Sequence, residues 1–452
     1  MAALNGKYSI KIGNFGFILA KLVRAGRHAY SREEAPAFVN KFSSGEPNYR
    51  DSTFFPHWVQ LNWQNGFDQE FFEDGGKFYR SANLDITNVS KLTLERNFTS
   101  AGLVESGADI TSQEIWRSSG GSSYFGDGSD GALTISTDTT EAPIDSACTG
   151  SSGSTTLSAT NTSFAAGQKV FIHQTQGTGA GNRQFNKILS YSTGTITLET
   201  ALNAAYVTGA QVRVMKQYTT VTIDSAKTYT AKAWDGTVGG ILAFYANSTV
   251  TVTGTITGTG KGFRGGTDAS PTTGQGIQGE SITGTGVAGS SANGSGGGGG
   301  RESTSASTYG GGGGSGAYAT QGADGANPNS TQGSSGATFG VASLATMSPG
   351  GAGGAGGVKS LGDSSGAGGN SGAIIIIAGI TLTITGSVVS GGSNGAAGVS
   401  ANSGGGGAGS GSAILLQAQT ATLGSALITA PAGSGGAGNG SGGAGATGGV
   451  GR

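Results

Sequence analysis

The chain has 452 residues, room for roughly two to four domains. Glycine supplies 90 of them, and charged residues make up 11%, against usual shares of about 7% and about 25%. A net charge of -1 gives no attraction for nucleic acid or an anionic membrane, and the single cysteine, Cys148, excludes an intrachain disulfide or a cysteine-rich metal site.

No run of about 18 apolar residues occurs, so no segment reads as a membrane-spanning helix. The start, Met1 to Ile10, lacks the basic and apolar regions of a secretory signal. For a chain of this composition the expected route outward is release by lysis, within a virus particle.

Residues 1–118 carry three of the four tryptophans (Trp58, Trp63, Trp116) and read as a small α+β or β domain. Ser31 followed by Glu34 has the form of a helix N-cap. Phe54 to Trp63 is aromatic and strand-like.

Residues 119–236 hold short alternating strands separated by Gly, Asn or Ser turns: Ala132–Ser136, Thr155–Ala159, Lys169–His173, Gly194–Leu198, Gln211–Met215 and Thr220–Ile223. This spacing predicts a β-sandwich or the start of a β-solenoid. Gly126–Gly131 offers two carboxylates, Asp127 and Asp130, which a calcium loop or a plain turn explains, the turn being favoured because no distal glutamate follows. Gly177–Gly181 imitates a phosphate-binding glycine loop, but no helical pattern follows it.

Residues 237–452 contain 66 of the 90 glycines. Within them an apolar strand leading to a second short strand is written three times, near 239–258, 371–391 and 411–428. The run Ile374–Ile377 must be buried on both faces, because exposed it would drive aggregation. The glycine tracts between copies then cannot be slack linkers. They fit polyglycine II, an extended helix with three residues per turn whose outward N–H and C=O groups bond to neighbouring helices. Gly350–Gly357, with alanine every third residue, has that period. The fold class expected is therefore mainly β, ending in a glycine-rich β-plus-polyglycine II domain.

These features carry a resemblance. Ala233–Gly240, Gly262-Phe-Arg-Gly-Gly266 and Gln278-Gly-Glu-Ser281, each beside glycine runs, are similar to glycine-rich adhesins at the tips of phage tail fibres, over about residues 120–452. Tyr49-Arg-Asp-Ser-Thr53 and Asp74-Gly-Gly76 resemble phage tail-associated chains. Short tip adhesins bind a separate fibre, whereas this chain has its own N-terminal domain. The resemblance implies a tail fibre or spike in the virion. The N-terminal domain would dock to other tail proteins, and a host cell-surface glycan or outer-membrane protein would be bound by loops on a stiff platform. A homotrimer is the default for such a fibre; no cofactor or metal is implied. Candidate contact residues are the sparse Arg, aromatic and Met positions of the glycine region: Arg301, Tyr309, Tyr318, Phe339 and Met347. The alternative is a purely structural shaft or surface-filament protein. A polysaccharide depolymerase would need paired carboxylates, and the acids of the glycine region stand apart in sequence.

Overall fold

The computed structural model describes residues 125–269, 272–302, 309–327 and 331–452, and before residue 125 the backbone of seven strands. The chain divides into two compact units, Met1–Tyr124 and Phe125–Arg452. Among the described residues every regular element is a strand, as a mainly β fold requires. In the first unit, β1 (Gly6–Ile12), β2 (Phe17–Leu22), β6 (Leu92–Phe98) and β7 (Glu114–Ile115) form an antiparallel sheet in the order β2-β1-β6-β7. β3 (Trp58–Trp63), β4 (Phe67–Asp74) and β5 (Lys77–Arg80) form a second. The helix expected after Ser31 lies outside the described residues.

The second unit is organised around a parallel solenoid of two-strand rungs. The rungs are β8 (Leu133–Ile135) with β9 (Thr139–Thr140), β17 (Val221–Ile223) with β18 (Thr228–Thr230), β19 (Ile241–Val252) with β20 (Thr255–Thr257), β21 (Ile374–Ile384) with β22 (Ser387–Val389), and β23 (Ile414–Leu423) with β24 (Ile428–Thr429). One sheet runs β23-β21-β19-β17-β8 and the other β24-β22-β20-β18-β9, in the same order. The register stacks like on like: Ile135, Ile223, Val252, Ile384 and Leu423 form one ladder, and Tyr229, Ile256, Val388 and Ile428 another. These apolar ladders meet between the sheets as a continuous core. The three written copies are the last three rungs, and the middle-region strands Ala132–Ser136 and Thr220–Ile223 supply the first two, so strand pairing crosses residue 236.

A closed antiparallel barrel is inserted between the first and second rungs. It comprises β10 (Asp145–Gly150), β11 (Thr156–Ala159), β12 (Lys169–Gln174), β13 (Arg183–Ser192), β14 (Thr195–Leu198) and β15 (Tyr206–Val214), closed by β10–β15 pairing. Closure removes the exposed edges that a sandwich would keep. Phe171 on the barrel and Met215 just after β15 face the outer side of the long solenoid strands, covering Ile241, Ile374 and Ile376, while Ile375 and Ile377 face the inner core. The Ile374–Ile377 run is thus buried on both faces, as its composition demanded.

The glycine tracts fill the space beyond the rungs as extended passes without strand pairing, yet they are buried. Their backbone bonds follow a three-residue period. In the pass 350–358, Gly351, Gly354 and Gly357 donate to Ala317, Gly314 and Gly311 at 2.8–3.0 Å. Ala352, Ala355 and Val358 donate to Glu280, Ile277 and Gly274, while Gly353 and Gly356 donate to Gly369 and Gly366. The same pass accepts from Gly297 and Gly300, from Gly404, Gly407 and Ser410, and from Gly266, so six neighbours surround it. The pass 403–412 is bonded on six sides in the same way. Such approach leaves no room for side chains: a Cβ on Gly407 would lie 2.0 Å from the carbonyl oxygen of Gly314.

Candidate functional site

The direction of each pass decides which turns reach the surface. The passes 365–373 and 403–413 run straight into β21 and β23, so the turns preceding them lie at the end away from the strands. The pass 310–318 runs alongside 403–412, since Gly310, Gly313 and Gly316 donate to Asn402, Gly405 and Ala408. Its start is therefore also strand-distal. The pass 350–358 runs opposite, because Gly404, Gly407 and Ser410 donate to Gly357, Gly354 and Gly351, so its end is strand-distal. An extended pass as long as 403–413 stands about 30 Å proud of the strands.

The strand-distal turns thus gather on one face: Asp268 and Ala269, Arg301 and Tyr309, Lys359–Ser364, Val399–Asn402 and Asn439–Ser441. They are tied to one another. Ser364 N–H donates to Ser400 Oγ, and Ser400 N–H to the Ser364 carbonyl, both at 2.9 Å. Asn439 Nδ2 donates to the Val399 carbonyl at 2.8 Å, and Ser441 N–H to Asn402 Oδ1 at 3.0 Å. Asp268 Oδ1 accepts from Ser365 N–H, Ser365 Oγ and Ala269 N–H. Partial burial pushes the Asp268 carboxyl up, but these hydrogen bonds outweigh it and hold it below the usual range. Above this bracing Leu361 and Val399 stand 57% and 65% exposed. Fixed, solvent-facing turns with apolar tips and hydrogen-bonding rims suit recognition of a partner.

The sequence candidates divide between the two ends. Arg301 is exposed and Tyr309 half-buried on the strand-distal face. Tyr318, Phe339 and Met347 come together at the strand-proximal end, against the barrel. Tyr318 and Met347 are fully buried, and the partly buried Phe339 packs on the same cluster. His173 Nε2–H donates to the Met347 carbonyl at 2.8 Å, and Nδ1 pairs with the Thr175 hydroxyl at 2.9 Å. Complete burial pushes the His173 imidazole down to about 4. Arg183 Nε donates to the Leu344 carbonyl at 3.1 Å, pinning the same loop. Picking rare residue types selected these core positions because large side chains in a glycine tract serve packing as readily as contact. A better signal was present: non-glycine runs such as Val358–Ser365 and Val399–Ser403 interrupt the three-residue glycine rhythm where the chain reverses.

Two other sequence features are turns. Asp130 accepts from Lys216 Nζ and Gln217 N–H, each at 2.7 Å, and Asp127 from Ser129 N–H at 2.9 Å. Gly177–Gly181 joins β12 to β13 with positive φ at Gly177, Gly179 and Gly181.

No family model matches the chain, and no curated protein does. Among solved structures it is similar in part to the tailspike protein gp49 from Pseudomonas phage LKA1, at 17% identity and TM-score 0.16, over 28% of this chain and 23% of that one. It is similar too to the Gp54 tailspike of Acinetobacter baumannii bacteriophage AP22, solved in complex with A. baumannii capsular saccharide, at 8% identity and TM-score 0.16, over 29% of this chain and 30% of that one. The chain thus spans less than a third of either neighbour.

Proposed function

We propose that this chain is a receptor-binding fibre or spike of a phage tail, located in the virion. In this reading residues 1–118 attach it to other tail proteins, residues 119–236 make the β-rich middle, and residues 237–452 form the display domain. The glycine passes are polyglycine II helices; the three-residue register and the six neighbours around pass 350–358 support this. The receptor is a host cell-surface glycan or outer-membrane protein, and the working form is a homotrimer.

The observation that carries the reading is the collection of cross-braced turns at one end of a side-chain-free lattice, with Leu361 and Val399 exposed there. A shaft needs stiffness but no such apolar tips. The lattice resists bending, so little ordering entropy remains to be lost when the turns bind. Arg301 and Tyr309 belong to the contact set, together with Leu361 and Val399.

The test is adsorption of the fluorescently labelled full chain to a panel of bacterial isolates. Replacing Leu361 and Val399 with serine should reduce binding to a susceptible isolate at least tenfold, with the unfolding temperature unchanged. Binding to no isolate, or binding indifferent to these turns, would favour the purely structural alternative.

A further inference from the structure

Charged residues are scarce in this chain, yet four of them meet where the barrel joins the solenoid. Glu141 follows β9, and its N–H donates to the Thr230 carbonyl of β18 at 2.8 Å. Asp145 opens β10. Arg213 lies directly across from it on β15, so both side chains leave the sheet on one face, with Cβ atoms about 5 Å apart. Lys232 comes just after β18. Its Nζ donates to both Asp145 carboxylate oxygens, at 2.9 Å each. The Asp145 side chain is only 7% exposed and that of Lys232 31%. In the other lysine–carboxylate pairs of the described residues, Lys187–Glu199 and Lys216–Asp130, no side chain is less than 25% exposed.

Arg213 uses Nη1 on the Ile241 carbonyl and Nη2 on Glu141 Oε1. One donor and one acceptor are left over. Arg213 Nε and Glu141 Oε2 are buried and have no hydrogen-bond partner among the described residues. Such orphans are costly and uncommon in a native interior. Burial pushes the Glu141 carboxyl up; Arg213 opposes the rise and the nearby Asp145 charge adds to it. Amide formation needs an amine touching a carboxyl, an acceptor to carry a proton and a donor to hold an oxyanion. All of these stand together at the neck of the barrel.

We propose that Asp145 and Lys232 condense into an intramolecular amide, Cγ to Nζ, with loss of one water. A proton first passes from Nζ to Asp145 Oδ2 across the contact, because withdrawal from water brings an ion pair and its neutral form close in energy. The amine lone pair attacks Cγ, the C–N bond forms, and the carbonyl pair moves onto Oδ1, where Arg213 Nε–H donates. Glu141 Oε2 takes one proton from the nitrogen and returns it to the hydroxyl oxygen. The C–O bond breaks, water leaves and Oδ1 recovers its double bond. Free amine and acid in water favour separation, but groups held in contact reach effective molarities of about 10⁵–10⁸ M, which offsets that preference. The amide closes a covalent loop around the whole barrel and fastens it to the second rung. With one cysteine the chain has no intrachain disulfide for that purpose. The bond serves a shaft and a spike equally, so it does not rest on the receptor-binding reading.

The experiment is the intact mass of the denatured full chain. Wild type should weigh one water less than its sequence. A protease digest should yield a branched peptide joining the segments that hold Asp145 and Lys232. Lys232→Arg keeps the positive charge but cannot form this amide. It should show the full sequence mass and no branched peptide, with an unchanged circular dichroism spectrum. Glu141→Gln removes the proton carrier and should also keep the full mass; if that variant fails to fold, Lys232→Arg decides. Wild type at the full sequence mass overturns the proposal, as does a water loss that survives Lys232→Arg. A folded Glu141→Gln chain that still loses water overturns the role given to Glu141.

Discussion

Substituting Gly354 by alanine tests why the passes must be glycine. Its N–H donates to the Gly314 carbonyl at 2.9 Å, and its own carbonyl accepts from Gly407 at 2.8 Å. A Cβ there would lie 2.1 Å from the Gly298 carbonyl oxygen, more than 1 Å inside ordinary contact. The obstacle is backbone, and that pass is itself bonded to others, so it cannot rotate away. Overpacking of this kind costs about 1–3 kcal/mol. Weakening two backbone hydrogen bonds adds about 1 kcal/mol each. The stiffer unfolded chain of the alanine variant returns about 0.4–1 kcal/mol. Gly354→Ala should therefore destabilise the second unit by about 2–5 kcal/mol. Gly289 supplies the control, because the nearest atom to its added Cβ is Gln278 Nε2 at 3.6 Å. Gly289→Ala should leave stability unchanged or raise it by up to about 1 kcal/mol. Calorimetric unfolding of the full chain measures both. Equal melting for Gly354→Ala and wild type, or equal losses in the two variants, would refute close approach as the reason for glycine.

The remaining expectations concern buried polar groups. His173 has its folded pKa depressed to about 4, against about 6.5 when unfolded. Below pH 6.5 the unfolded chain gains a proton that the folded chain refuses, so stability should fall between about pH 6.5 and pH 4, by up to about 3 kcal/mol. His173→Gln should flatten that part of a melting-temperature profile; an identical slope would show that other groups cause it. The Arg213 guanidinium pairs with Glu141 where both side chains are buried. Glu141→Gln should cost about 3–5 kcal/mol by leaving Arg213 unpaired, while the double change to Glu141→Leu and Arg213→Met should cost less than the two single changes combined. Additive losses in a denaturation cycle would contradict this coupling.

Strand identity was legible wherever composition left one outcome. Ile374–Ile377 has to be a doubly buried strand, and Thr220–Ile223 alternates as a half-buried one does. The barrel was legible only as strands. Its closure depends on β10 meeting β15 across some sixty residues, and no local pattern encodes that pairing. The contact candidates split for a similar reason. Tyr318 and Arg301 sit in comparable glycine surroundings in sequence, but they end different passes, at opposite ends of the lattice.

By itself, the sequence determined the material of this protein: apolar β-branched strands that must be buried, and glycine passes with a three-residue rhythm that accept no side chains. Both are set by residue chemistry and short-range period. Tertiary structure alone decided the stacking of five rungs in one register, the insertion of the barrel between the first two, and the end of the lattice on which each turn emerges. Those outcomes rest on hydrogen bonds between residues far apart in the chain. Glycine can bond to any neighbour it meets, so its sequence carries no address, and the anchoring strands supply it.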